Sequence, residues 1–175
     1  SELGAIAATL AAYLRAGFEP RDIALALAPD ADVFQCIAKV RALRILSQKV
    51  AQALGAVPEQ PFVIGVTSHR HATIRDLENN ILRGTAETFA FATGGVDAIV
   101  ARAFDEVVGG SSERGARIAH RPQLVLRHES HLGHAADPGR GSYAIESATL
   151  ALAEAGWEAM RAIEREGGIA EALAD

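Results

Sequence analysis

The sequence predicts an α/β fold of parallel (β/α) units, about half of an eight-unit (β/α)8 TIM barrel. Three observations predict it. Strand-like and helix-like segments alternate along the chain, the alternation recurs about every 35–40 residues, and glycine or proline punctuates the boundaries. No linker or low-complexity stretch divides residues 1–175, so the chain reads as one domain of about four βα units. Crossovers in such units are right-handed in nearly all cases. The same pattern also fits a small open α/β sheet.

Residues 3–17 are rich in alanine and leucine, strong helix formers, and stop at Gly17, a candidate C-cap. Ile23 to Ala28 alternates large and small side chains at period two, which predicts a strand. Its alternation points the large side chains toward helices and the alanines toward the barrel axis, either lining a narrow bore or packing against bulky neighbours. Residues 32–54 predict a long amphipathic helix ending at Gly55, with Phe34, Ile37, Val40, Leu43, Ile45 and Leu46 as its apolar face. After the breakers Pro58 and Pro61 comes a strand, Phe62 to Val66. A helix over roughly 76–92 leads through Gly94-Gly95 to a strand over Val96 to Ala101. A fourth unit follows, with a helix over roughly 112–129 and a short strand near His134 to Ala136. A closing helix runs from Ser142 to about Arg165, and Gly167-Gly168 separates it from a last apolar turn.

Composition narrows the function. With 49% hydrophobic and 22% charged residues the chain has the make-up of a soluble globular protein. A net charge of -5, with basic residues scattered among acids, gives no stripe for a phosphate backbone, so nucleic acid is not expected. The longest apolar run is too short for a membrane span. Cys36 is the only cysteine, which excludes an internal disulfide framework and fits a reducing cytoplasm.

In α/β barrels the loops after the strands form the functional face. Here those loops begin near Pro29-Asp30, Thr67-Ser68-His69-Arg70-His71, Arg102-Ala103-Phe104 and Asp137-Pro138-Gly139-Arg140-Gly141. Thr67, Ser68, Arg70, Arg102 and Arg140 are the candidate substrate-binding residues, because the arginines there could meet phosphates or a carboxylate. His69 and His71 stand two apart with no third ligand fixed in sequence, so no metal site is assigned. Asp105-Glu106, Ser111 and Ser112 read as cap and dipole chemistry for the next helix. Arg114 and Arg117 are expected to reach carboxylates of neighbouring units, and Asn79 and Asn80 to bond a neighbouring loop. No nucleophile, base and orienter can be read from spacing, and no catalytic residue is assigned.

Several fragments together resemble the second half of the barrel domain of methylmalonyl-CoA mutases, which are adenosylcobalamin-dependent. They are Ile37-Ala38-Lys39-Val40-Arg41-Ala42, Thr67-Ser68 with Asp76 and Asn79-Asn80, Gly94-Gly95 and Asp105-Glu106. Further on come Ala116-Arg117-Ile118-Ala119 with Gln123-Leu124, Asp137-Pro138 with Gly141-Ser142-Tyr143, and Gly167-Gly168-Ile169. The likeness runs from about Tyr13 to Ala172. It implies a barrel that encloses the acyl-CoA while the cofactor supplies the radical chemistry. It also implies that the family's substrate-flanking tyrosine and histidine belong to a first half-barrel upstream.

Positions the likeness does cover have changed. The family's His-Ser-Gln before Thr-Ser aligns with Ile64-Gly65-Val66, the histidine of its His-Thr-Asn with Val100, and the asparagine with Arg102. Its CoA-contacting arginine and serine align with Asp22 and Ala24, a glutamate with Cys36 and a tryptophan with Gly139. The cobalamin signature Asp-x-His-x-x-Gly is absent from the sequence. This pattern resembles the non-catalytic small (beta) subunit of heterodimeric mutases. It implies a structural role, with adenosylcobalamin not bound by this chain alone, and a catalytic mutase subunit or the missing half-barrel as partner. Self-association of the chain is expected from its open sheet edges. The alternatives are a fragment of an active mutase for a different acyl-CoA, or an unrelated small α/β domain.

Overall fold

The computed structural model describes residues 1–57 and 59–173. It is α/β, with helices alternating with the strands of a three-stranded sheet: a partial parallel β/α fold. The helices are α1 (Glu2–Arg15), α2 (Val33–Ala53), α3 (Asn79–Gly94), α4 (Glu113–His128), α5 (Tyr143–Arg165) and α6 (Ile169–Ala172). The strands are β1 (Ala24–Leu27), β2 (Phe62–Val66) and β3 (Ala98–Val100), in spatial order β1-β2-β3. The chain divides into two compact units.

One unit comprises Ser1–Leu25, Ala38–Phe62 and Gly141–Asp175. Its core is the packing of α1 on α5, with Leu3, Leu10, Leu43, Leu46 and Met160 buried. Each such side chain contributes about 1.5–3 kcal/mol on leaving water. Gly4 makes the helix approach possible, since a Cβ there would lie 2.5 Å from the Ala159 Cβ. Arg41 donates to Glu146 Oε1 at 2.7 Å, and the same oxygen accepts the Gly141 N–H at 3.1 Å. Glu146 thereby satisfies a backbone donor at the start of α5. Ser142 occupies the N-cap position, yet its side chain makes no capping bond.

The other unit comprises Ala26–Ile37 and Val63–Arg140. Here β2 and β3 run parallel, with Ile64 opposite Ala98, Gly65 opposite Ile99 and Val66 opposite Val100. Because side chains alternate across a strand, Gly65 faces α3, where a Cβ would come 2.5 Å from the fully buried Phe91 ring. Asp97 clamps the start of the pair. Its Oδ2 accepts the Val63 N–H at 2.7 Å, and its own N–H donates to Val63 O at 2.8 Å. At the C-terminus of α3, Gly95 adopts φ 83°, a left-handed cap that a side chain would strain.

Three sequence expectations are corrected. Phe34 and Ile45 are exposed, at 64% and 39%, while Ile37, Val40, Leu43 and Leu46 are buried. The exposed two lie about three turns apart on one stripe of α2, opposite the face that packs. Residues near His134 to Ala136 form no strand, so among the described residues three strands replace the four expected; a 3-10 turn at Leu132–His134 stands there instead. His131 enters that turn at φ 52°, a left-handed conformation that breaks the extended run. Finally, α3 begins at Asn79 rather than near 76, because Asp76 is left-handed at φ 49° and cannot join a right-handed helix.

Candidate functional site

Loops at the carboxyl ends of parallel strands are where α/β folds place ligands, and here the ends of β2 and β3 meet. The Thr67 N–H donates to Val100 O at 3.0 Å, which carries the ladder one step past β2. The Arg102 N–H then donates to Thr67 Oγ1 at 2.8 Å, and Arg102 Nε to Thr67 O at 3.1 Å. The far end of the guanidinium bonds Glu106 Oε1 at 2.8 Å and lies 3.0 Å from His69 Nε2. His69 Nε2 is also 3.2 Å from Glu106 Oε1. These two histidine contacts need opposite protonation of Nε2, since it accepts from Arg102 only without a proton and donates to Glu106 only with one.

Behind this lies a second, more buried cluster. Glu87, on α3, is 8% exposed; its Oε2 accepts the Ser68 N–H at 3.0 Å and its Oε1 lies 3.2 Å from His71 Nδ1. Asn80, the second residue of α3, accepts the Thr73 N–H at 3.0 Å and donates to Thr73 O at 2.9 Å and Phe104 O at 3.0 Å. Its Oδ1 also accepts from Arg83 at 2.9 Å. Of the two asparagines expected to bond a neighbouring loop, Asn80 ties the loop after β2 to the loop after β3, whereas the bond given for Asn79 is its backbone N–H to Asp76 O at 2.9 Å.

Past Phe104 the chain prepares α4. Ser112 is the N-cap, its Oγ accepting the Gly115 N–H at 2.9 Å. Asp105 Oδ2 accepts the Ser112 N–H at 3.1 Å. Hydrogen bonding from the Ser112 side chain, aided by the Arg114 charge, holds the Asp105 carboxyl below the usual carboxylate range, with desolvation opposing. The cap reading of Asp105 and Ser112 is thus what the structure shows. The expectation for Arg114 and Arg117 is not met: Arg117 pairs with Glu113 on its own helix at 2.9 Å, and Arg114 lies over the Phe104 ring at 6.0 Å. A carboxylate one turn away is a nearer partner than one on another unit.

Of the five candidate substrate-binding residues, the structure brings Thr67, Ser68 and Arg102 together around one hollow. The Arg70 N–H donates to Ser68 Oγ at 3.0 Å within the same loop. Arg140 lies outside the cluster, in the turn closed by its N–H to Asp137 O at 3.1 Å. The hollow itself measures about 30 Å³, room for about one water molecule. Chemically, this corner is a set of donors and acceptors satisfying one another, with no hydroxyl or thiol held against a base. Glu87 was missed from sequence. The signal for it was a carboxylate inside the apolar stripe that Ala90 and Phe91 continue.

Residues 7–175 match the family described as methylmalonyl-CoA mutase. The chain is 38% identical over 186 aligned residues to a probable methylmalonyl-CoA mutase small subunit of Mycobacterium tuberculosis (H37Rv), covering 98% of this chain and 30% of that one. It is 37% identical over 185 residues to the methylmalonyl-CoA mutase small subunit of Streptomyces virginiae, covering 98% and 29%. Against the methylmalonyl-CoA mutase of Escherichia coli K12 the identity is 33% over 145 residues, covering 81% and 20%. The chain thus spans less than a third of the length of these relatives.

Proposed function

Because the chain belongs to the methylmalonyl-CoA mutase family, we propose that it serves as a structural, non-catalytic small-subunit region of a methylmalonyl-CoA-mutase-like, adenosylcobalamin-dependent acyl-CoA isomerase. The observation that carries this reading is the filled corner at the ends of β2 and β3. Arg102 is spent on Thr67 and Glu106, Glu87 on Ser68 and His71, and about 30 Å³ is left between them. An acyl group or a thioester cannot enter a space that holds one water. The polar groups that remain there support the loops rather than a ligand.

Adenosylcobalamin enters as the family's cofactor, supplying the radical when bound by a catalytic subunit. The residues described here do not fit a cobalt site. His69 and His71 bond Glu106 and Glu87, and His131 and His134 stack on each other with centroids 4.7 Å apart. No group of three or more His, Cys, Asp or Glu converges among the described residues. The partner in this reading is a catalytic mutase subunit, in the cytoplasm; no described helix is long and apolar enough to cross a membrane.

Titrating the chain with methylmalonyl-CoA, and separately with adenosylcobalamin, tests the proposal by calorimetry. The expected result is no binding heat at micromolar concentrations, and mutase turnover only when a catalytic subunit is supplied. Micromolar acyl-CoA binding that Arg102→Ala abolishes would overturn it in favour of a piece of an active mutase. That second reading draws on Arg70, whose side chain forms no ion pair among the described residues, and on the Escherichia coli relative.

A further inference from the structure

A cavity of about 360 Å³ lies within the second unit, next to the hollow of the strand-end corner, with which it shares Arg83 and Glu87, and roughly ten times larger than that hollow. Its walls are apolar: Ala31 from the loop after β1, Val33 at the start of α2, and Ala86 and Ala90 from α3. Asp30, His71, Arg83 and Glu87 supply its polar groups. Small-molecule sites have this composition and begin at about 300 Å³.

The charges around the cavity are not equivalent. Glu87 is committed, with one oxygen on the Ser68 N–H and the other on His71. Asp30 is exposed, its Oδ1 accepting the Ala31 N–H at 2.9 Å. Arg83 has a single hydrogen bond, to the neutral side-chain amide of Asn80, and no ion pair among the described residues. A guanidinium offers five donors in a planar fork that matches a carboxylate. Arg83 spends one of those five.

We propose that this cavity binds a short-chain aliphatic carboxylate, with the carboxylate on Arg83 and the tail against Ala31, Val33, Ala86 and Ala90. The cavity shares Arg83 and Glu87 with the strand-end corner, while Ala31, Val33, Ala86 and Ala90 line the cavity and not the corner's hollow. It gives the chain a small-acid binding function that needs neither a thioester nor a corrin.

Three probes with the same tail and different heads test it on the full chain by ligand-observed NMR or calorimetry: hexanoate, 1-hexanol and hexylammonium. Hexanoate is expected to bind at least about tenfold more tightly than hexanol, the fold-change of one charge-assisted hydrogen bond, and hexylammonium most weakly. Arg83→Gln should bring hexanoate to the level of hexanol. Ala86→Leu, which fills the cavity with a good helix former on an exposed position, should abolish binding of hexanoate and hexanol, with circular dichroism showing that both variants fold. The proposal fails if hexanoate does not bind at millimolar concentration, if hexylammonium binds as well as hexanoate, or if Ala86→Leu leaves hexanoate binding intact.

Discussion

Asn80 shows how much one side chain carries at the strand ends. It is 7% exposed, and its amide bonds the backbone of Thr73 twice and that of Phe104 once. Asn80→Ala strands those backbone groups, and leaving a buried polar group unpaired costs about 1–3 kcal/mol. A loss of that size is expected in urea denaturation; an unchanged midpoint would mean water replaces the amide. Asp105 sets an acid limit on the same region. Its carboxyl titrates below the usual range in the folded state because the Ser112 side chain bonds the ionised form. The stability it contributes is therefore fully present above the unfolded value of about 3.9 and is lost as pH falls through the lower folded value. Amide protection in the first turn of α4, relative to the intrinsic exchange rate, should fall in that acid window, and Asp105→Asn should remove the acid dependence. Thr67, Ser68, Arg102 and Asn80 were legible in sequence because their types are rare inside apolar strands and mark a strand-to-helix corner. Glu87 was not, because its partners are a loop 19 and 16 residues earlier, and nothing local announces that pairing.

Elements were read well wherever their periodicity was their own. The helices α1, α2, α4 and α5 and the strands β1 and β2 stand close to where spacing put them, since 3.6- and 2-residue periods follow from backbone geometry. The faces of α2 were read less well: Phe34 and Ile45 are apolar by type, but the neighbours that would bury them are not on their stripe. The approach of α1 to α5 was also invisible, since it depends on Gly4 meeting Ala159 across the fold. Gly4→Ala gains up to about 1 kcal/mol of helix propensity, yet places a Cβ 2.5 Å from the Ala159 Cβ and 3.0 Å from the Met160 N. Those are atoms that no rotamer can move. Overpacking of about 1–3 kcal/mol outweighs the propensity, so thermal denaturation should show a lower midpoint; a rise would mean the helices separate at little cost.

At the scale of the molecule, the sheet has a face and an edge that its own residues leave open. Ile64 and Val66 of β2 share a face with Ala98 and Val100 of β3, and Val100 is 52% exposed. As the last strand in the order, β3 also leaves one edge of the sheet unpaired among the described residues. A groove of about 580 Å³ runs past Val96–Ile99, with Leu124 and Arg127 of α4 and Leu132, Gly133, Ala135 and Ala136 along it. Unpaired strand edges with apolar neighbours are templates for association. Dimers or larger species are therefore expected in light scattering at micromolar concentration, reduced by Val100→Lys, which puts a charge on the edge. A monodisperse monomer would contradict this.

The order of helices and strands, the parallel β/α class and the family were set by the sequence itself, because periodicity, capping residues and ordered motifs are local and survive without a partner. Whether Arg102 is a free cation or a tie between two loops, whether Phe34 is buried, and whether residues 134–136 pair as a strand were decided only in three dimensions. Each depends on atoms far away in the chain, and a hydrogen bond or a packed face exists only when both sides arrive.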